Sequence, residues 1–113
     1  MKIIRGQIER KELQRLAEAG FGDMVKVVVD VEAEILAVDA ELHADLEATL
    51  LQEGSLQANL WGINLYPELV GEDFVEFDSM INMRPSQKNK SRGVESQAIR
   101  ARIIQVVAKR VQG

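Results

Sequence analysis

With 113 residues, 46% of them hydrophobic and 28% charged, the chain has the composition of one ordinary globular domain, which excludes a fibrous or disordered protein. It contains no cysteine, which excludes disulfides, thiolate metal sites and a cysteine nucleophile and favours a reducing compartment such as the cytoplasm. The net charge of −4 argues against a general nucleic-acid binder, and no apolar run reaches transmembrane or signal-peptide length, so a cytoplasmic protein without a membrane anchor is predicted.

The first part of the chain predicts a short strand, a helix and a long strand. Lys2 to Arg5 runs through two isoleucines as a short strand. A helix follows from about residue 9 to 19, with one apolar face and Gly20 as its stop. From Met24 to Val38, apolar residues occupy alternate positions and many of them are valines. A helical stripe also fits this segment, but β-branched residues favour a strand.

The segment from Glu41 to Leu51 also fits two periods, and a strand is predicted from its match with the segment before it. A two-residue turn at Asp39-Ala40 would place Ile35 opposite Ala44 and bring apolar residues together on one face. A slip of one residue would destroy this match. Helix remains the alternative, because leucines recur at a spacing of four, at Leu42, Leu46 and Leu50.

The remainder predicts two more strands, a loop and a second helix. The strands run from Asn59 to Tyr66 and from Asp73 to Arg84, the polar basic loop from Ser86 to Gly93, and the helix from about residue 94 to 111. Trp61 shares the parity of the apolar residues in its strand, so it is predicted in the core. The predicted fold is therefore a single α+β domain, in which an antiparallel four- to five-strand meander is covered on one face by two helices.

The opposite parity leaves one uncovered polar face on this predicted sheet. Its side chains are Asp30, Glu32, Glu34, His43, Asp45, Glu47, Asn64, Tyr66, Glu76, Asp78 and Asn82. The predicted register places like charges opposite each other, which is destabilising unless solvent, a cation or a basic partner offsets the repulsion. The face is therefore open to three interpretations: a solvated surface, a surface for a partner or a second copy, or a metal or catalytic site.

A site on this face would centre on the one histidine. The candidate catalytic residues are His43, Asp45, Asn64 and Asn82. His43 would transfer the proton, because it alone titrates near neutral pH. The candidate metal ligands are His43, Asp45, Glu34 and Glu47, a set that suits a divalent cation such as zinc, manganese or iron. One histidine without a second is a weak metal signature, and the sequence contains no paired-histidine motif.

The basic loop is the second candidate site. Loops rich in donors that lead into a helix N-terminus can hold phosphate or carboxylate. The candidate anion-binding residues are Arg84, Lys88, Asn89, Lys90 and Arg92. The alternative is a flexible loop whose lysines keep the protein soluble. Residues 84–110 are basic and residues 23–76 acidic, which indicates either an intramolecular match or two surfaces with different partners.

Three functions remain open. The favoured one is a cytosolic protein that acts through binding or self-association, as a homo-oligomer, with the polar sheet face and basic loop as its contact surface and a small anionic ligand as one partner. The first alternative is a small metal-assisted, hydrolase-like enzyme centred on His43 and Asp45. The second is a nucleic-acid-associated protein that uses the loop from Arg84 to Arg92, against which the net charge argues.

Three stretches carry a resemblance to known proteins: Glu41 to Asp45, Leu60 to Pro67 and Glu76 to Arg92. Through them the chain, from Met1 to about Val111, resembles an uncharacterised family of small prokaryotic proteins that carries a domain-of-unknown-function label. Members of that family tend to have two glycines where this chain has Asp39-Ala40, and paired glycines suit a tight hairpin turn. The resemblance implies a complete protein of that family and supplies no activity, substrate or cofactor.

Overall fold

The structure, a computed structural model, describes residues 1–113 and contains seven strands and three helices. The strands are β1 (Lys2–Ile4), β2 (Ile8–Glu9), β3 (Val25–Asp30), β4 (Ile35–Val38), β5 (Leu60–Leu65), β6 (Val75–Glu76) and β7 (Val111–Gln112), and the helices are α1 (Arg10–Ala19), α2 (His43–Gln52) and α3 (Gln97–Arg110). Five strands form an antiparallel sheet in the order β1-β4-β3-β5-β6, while β2 and β7 form a separate parallel pair. The predicted α+β class with an antiparallel sheet is confirmed.

The segment from Met24 to Val38, predicted as one strand, is a hairpin of β3 and β4. A carboxylate oxygen of Asp30 accepts hydrogen bonds from the backbone N–H groups of Glu32 and Ala33, both at 2.9 Å. Glu34 completes the turn with a φ of 59°. Aspartate favours turns because its side chain bonds to backbone a few residues ahead. This local signal was present in the sequence, but the alternating valines masked it.

The prediction of a strand from Glu41 to Leu51 is wrong, because these residues form most of α2. Leu46 and Leu50 are fully buried against the sheet at the spacing of four that a helix requires. β4 occupies the position beside β3 that the prediction assigned to this segment. The predicted hairpin at Asp39-Ala40 and its cross-strand pairs are therefore absent. The chain leaves β4 there with Asp39 at a φ of 74° and enters α2.

Helices cover both faces of the sheet, rather than one face as predicted. On one face, α1 and α3 enclose a cluster of 17 buried residues that includes Trp61, whose predicted place in the core is confirmed. On the other face, α2 encloses a cluster of 6 buried residues. These are Val28, Ile35, Ala37, Leu46, Leu50 and Leu60. The uncovered polar face predicted from the sequence is thus largely occupied by α2.

The strand predicted from Asp73 to Arg84 is reduced to β6, and short 3₁₀ turns follow it. Beside β5, the side chain of Asn82 makes the hydrogen bonds that a neighbouring strand would make. The amide of Asn82 accepts a hydrogen bond from the Gly62 N–H at 2.8 Å and donates one to the Gly62 carbonyl at 2.9 Å. Gly62 is required here, because a Cβ at this position would lie 2.5 Å from the Cβ of Ser79.

The charge segregation seen in the sequence is partly matched within the molecule. Arg102 and Lys109 of α3 pair with Glu32 and Glu34 in the β3–β4 turn, at 3.0 and 2.6 Å. Ser96 caps the helix by accepting a hydrogen bond from the backbone of its first turn. The helix predicted at residues 94–111 is confirmed, as is the one predicted at residues 9–19. None of the three helices is both long and apolar enough to cross a membrane.

Candidate functional site

A row of three polar residues crosses the sheet just beyond the first turn of α2. Lys26 of β3 pairs with Asn64 of β5, which in turn pairs with Glu76 of β6. Residues directly opposite each other in a sheet point to the same face. Lys26 shares the parity of Val28, so this face is the one that α2 covers further along. Asn64 and Glu76 belong to the part of the predicted polar face that α2 leaves open, and Lys26 joins them there.

The polar row lies in a groove of about 530 Å³, called here the His43 groove. Its polar lining comes from Lys26, His43, Asn64, Tyr66, Glu76, Asp78, Ser79 and Arg92. Its apolar lining comes from Phe21, Met24, Leu42, Ala44, Met80 and Ile81. Apolar walls with a few converging polar groups are typical of small-molecule sites.

His43, the first residue of α2, is buried at the edge of the groove. Its Nε2 lies 2.8 Å from the carbonyl oxygen of Ile63. A carbonyl only accepts, so Nε2 carries the proton and Nδ1 keeps a lone pair. No hydrogen bond of Nδ1 to the protein is present, and His43 is one of the residues that line the groove. Burial lowers the pKa of His43 below its ordinary value, which keeps the imidazole neutral at neutral pH.

Asn64 lies beneath the groove with its side chain oriented by a carboxylate. Its Nδ2 donates to Oε1 of Glu76 at 2.8 Å, and the hydroxyl of Tyr66 donates to the same oxygen at 3.0 Å. Because an ionised carboxylate only accepts, it draws the amide nitrogen toward itself. The amide oxygen of Asn64 is left buried without a partner. An unsatisfied buried acceptor costs about 1–3 kcal/mol, so the unpartnered oxygen of Asn64 lowers the stability of the protein.

The charges in the groove are unevenly neutralised. Arg92 pairs with Asp78 at 2.7 Å, whereas Lys26 makes no ion pair and its ammonium lies 5.0 Å from the ring centroid of Phe21. The N-terminus of α2, which opens on the groove, has no side-chain cap. A helix N-terminus carries a partial positive charge and free N–H groups. One end of the groove is therefore electropositive although the protein as a whole is acidic.

Of the four predicted catalytic residues, His43 and Asn64 lie together in the groove. Asp45 is exposed in the first turn of α2 and does not line the groove. Asn82 is buried beside it, but its amide is bonded to the backbone of Gly62 and Arg92. The structure thus brings together half of this predicted set and gives Asn82 a structural role.

The four predicted metal ligands do not converge. Glu34 lies in the β3–β4 turn and pairs with Lys109, while His43, Asp45 and Glu47 lie on α2. The structure contains no group of three or more histidine, aspartate or glutamate side chains that could hold a metal ion. The predicted divalent-metal site is therefore not assembled from these residues.

The predicted anion-binding loop is held by two of its own candidate residues. The guanidinium of Arg84 donates to three backbone carbonyls and lies 4.4 Å from the ring centroid of Trp61. The amide of Asn89 likewise donates to three carbonyls. Both side chains are buried, while Lys88 and Lys90 are exposed. Arg92 belongs to the His43 groove, so the five candidates do not form one site.

Five polar residues of the groove were absent from the predicted sites: Lys26, Ser79, Tyr66, Glu76 and Asp78. Parity had placed the last three on the polar face, without indicating that they approach His43. The signal for Lys26 is its position as the only charged residue among the apolar residues at the start of β3. Their convergence depends on where α2 begins, and the prediction of a strand in this segment gave no indication of that position.

Comparison with known proteins gives one match and two negative results. A family model described as "Protein of unknown function (DUF5674)" matches residues 2–110. Neither a curated protein nor a solved structure matches the chain. The resemblance seen in the sequence to a family with a domain-of-unknown-function label is confirmed. The match covers nearly the whole chain, which therefore belongs to the family described as protein of unknown function (DUF5674).

Proposed function

We propose that this protein acts through binding, and that it holds a small anionic molecule in the His43 groove. The proposal rests on one observation: the N-terminus of α2 and Lys26 line the same groove. That N-terminus has no side-chain cap, and Lys26 makes no ion pair. Backbone N–H groups at a helix start, beside a lysine, form a favourable environment for carboxylate or phosphate. The absence of cysteine supports a cytoplasmic location as part of this proposal.

Both acidic residues of the groove are already engaged by groups of the protein itself. Arg92 neutralises Asp78, and Glu76 accepts hydrogen bonds from Asn64 and Tyr66. Lys26 and the first N–H groups of α2 remain free for a ligand. The apolar walls would hold a hydrophobic part of the same molecule. A small molecule with one acidic group and an apolar body fits this combination.

The proposal is tested by titrating inorganic phosphate and acetate into isotope-labelled protein and following the amide resonances. We expect shifts centred on His43, Ala44 and Lys26, and a several-fold lower affinity after Lys26→Met. Lys11→Met is the matched control, because Lys11 is an exposed lysine on α1 outside the groove. Equal loss in the two variants, or shifts centred on the basic loop, would contradict the proposal.

A catalytic role for His43 is the second candidate function. The Nε2–H···O bond to Ile63 fixes the tautomer and leaves Nδ1 as a base on a residue that lines the groove. This arrangement suits proton abstraction from a bound molecule or water. Hydrolysis of p-nitrophenyl acetate, assayed with and without added divalent metal, tests it. The expected result is turnover that is lost in His43→Gln, and identical rates in the two proteins would exclude ester hydrolysis by this residue.

The alternative of nucleic-acid association depends on fewer groups than the sequence indicated. Lys88 and Lys90 are exposed and make no ion pair, whereas Arg84 is buried against backbone carbonyls. The alternative stays a prediction, and affinity for an oligonucleotide that falls steeply with salt would support it. Self-association also stays a proposal. Its surface differs from most of the predicted polar sheet face, because α2 covers most of that face.

A further inference from the structure

Two charged side chains of the groove have no ion-pair partner, and their charges are opposite. Lys26 of β3 and Glu76 of β6 make no ion pair, whereas Arg92 and Asp78 pair with each other at 2.7 Å. Lys26 and Glu76 stand on either side of Asn64 in the polar row. Neighbouring strands are about 4.8 Å apart, so the two residues are separated by about 10 Å at the backbone. The groove therefore has a positive side and a negative side.

The negative side also presents hydrogen-bond acceptors that no donor of the protein reaches. The amide oxygen of Asn64, a side chain that is 5% exposed, is buried without a partner. Both hydrogen bonds to the Glu76 carboxylate end on Oε1, and Oε2 accepts none. Nδ1 of His43 makes no hydrogen bond with the protein, while Nε2 of the same ring bonds to Ile63, the residue before Asn64. A ligand that donates hydrogen bonds would satisfy these acceptors.

The charges on this side favour a cationic donor over a neutral one. Burial raises the pKa of the Tyr66 hydroxyl, and its hydrogen bond to Glu76 and the nearby carboxylates of Asp23 and Asp78 raise it further. Negative charges that disfavour a phenolate favour an ammonium for the same electrostatic reason. A protonated amino group is therefore the donor that matches the negative side of the groove.

We infer that the ligand of the groove is a small zwitterion, namely an α-amino acid with an apolar side chain. This assignment rests on the proposed function, in which Lys26 and the start of α2 hold an acidic group, and it adds an ammonium held by Glu76, Asn64 and His43. The first N–H group of α2 and Nδ1 belong to one residue, His43. The acidic and amino groups of the ligand must therefore lie close together, as they do on the α-carbon of an amino acid.

The apolar wall of the groove favours an amino acid with a hydrophobic side chain. Phe21, Leu42 and Met80 line the groove and are 46%, 55% and 63% exposed. A ligand side chain that covers them removes apolar surface from water, which is favourable. Met24 also lines the groove, and methionine side chains adapt to different shapes. We therefore expect several apolar amino acids, rather than a single one, to bind.

Three molecules of matched shape separate the contributions of the two charged groups. Leucine carries both groups, isocaproate is leucine without its amino group, and isoamylamine is leucine without its carboxylate. Each is titrated at neutral pH into isotope-labelled protein, and the affinity is obtained from the amide resonances. We expect leucine to bind about tenfold more tightly than either of the others, because hydrogen bonds to charged groups are the strong ones. The side-chain amide resonances of Asn64 should shift with leucine and not with isocaproate.

Two variants assign the charged groups of the ligand to the two sides of the groove. Glu76→Gln removes the negative charge and keeps an oxygen that accepts from Asn64 and Tyr66. It should abolish the advantage of leucine over isocaproate and leave the affinity for isocaproate unchanged. Glu68→Gln is the matched control, since Glu68 is an exposed glutamate outside the groove. Lys26→Met should weaken leucine and isocaproate alike, because Lys26 acts on the acidic group that they share.

The possible results separate a failure of the zwitterion from a failure of the proposed function. Isocaproate that binds in the groove as tightly as leucine would overturn the zwitterion and leave the proposed function intact. An advantage of leucine that persists in Glu76→Gln would also overturn it. Isoamylamine that binds as tightly as leucine would overturn both, because the acidic group would then contribute nothing. Both also fail if leucine, isocaproate and inorganic phosphate all leave the groove resonances unchanged.

Discussion

The two faces of the sheet are packed in different ways. The face under α1 and α3 has a cluster of 17 buried residues, while the face under α2 has 6 and ends in an open groove. The exposed residues of α1 include three charged ones, Lys11, Arg15 and Glu18, whereas those of α2 include one, Asp45. One face thus resembles the stabilising core of a domain. The other leaves hydrogen-bonding groups and apolar surface unused, which is where binding is expected.

The largest effect is expected from removing equivalent leucines on the two faces. Leu13 of α1 and Leu46 of α2 are both fully buried. Leu13→Ala should lower the free energy of unfolding by about 3–5 kcal/mol and Leu46→Ala by about 2–3 kcal/mol. The difference is expected because α2 is a single layer that can settle onto the sheet, while the β2–β7 pair restrains α1. Urea denaturation measures both values, and equal losses would contradict the distinction between the faces.

A smaller effect is expected at Gly62 of β5. On the sheet face that α2 covers elsewhere, the segment around Ser79 packs against this residue in place of the helix. Gly62→Ala should cost about 1–3 kcal/mol, because the new Cβ would collide with Ser79. Ser79→Gly in the same chain removes the colliding Cβ and should restore part of the stability. Gly6→Ala is the control, since nothing lies within 4 Å of a Cβ at that position. Thermal unfolding compares the variants, and a Gly62→Ala protein as stable as the control would show that the segment moves freely.

The smallest effect is the pH dependence that His43 gives to the open face. Burial lowers the pKa of His43 below its ordinary 6.5, so between the two values the unfolded chain binds a proton that the folded chain does not. The free energy of unfolding should therefore fall as pH decreases from 6.5 toward the pKa in the fold. His43→Gln keeps a donor for the Ile63 carbonyl and does not titrate. Denaturant unfolding at several pH values should show a shallower decrease for the variant, and parallel curves would contradict the assignment.

Much of the fold could be predicted from the sequence, because the apolar residues of several segments fit the period of a helix or of a strand but not both. Residues 2–5, 9–19, 59–66 and 94–111 were assigned the correct type. The region from Met24 to Leu51 could not be resolved in this way, because its apolar residues satisfy both alternation and a spacing of four. Tertiary packing decided between them: β4 pairs with β3, which leaves Leu46 and Leu50 to pack on the sheet as a helix.

The candidate site was predictable only in part. His43 and Asn64 were predicted on a common surface as residues of one sheet, but they meet because the first residue of α2 packs on β5. Arg84 and Asn89 were predicted as anion ligands from their chemistry. Both instead satisfy backbone carbonyls within an irregular segment. Side-chain bonds to irregular backbone have no sequence period, so residue type alone cannot separate them from a ligand site.

The parallel pair of β2 and β7 has a consequence for the order in which the protein folds during synthesis. It joins segments near opposite ends of the chain, and a hydrogen bond between Arg10 and Gly113 spans 103 residues. The cover on the larger cluster is therefore completed only by residues 97–112, which are synthesised after β3 and β5. A nascent chain that has reached only β6 exposes the apolar side of its sheet to water, and we expect it to depend on chaperones until α3 is made.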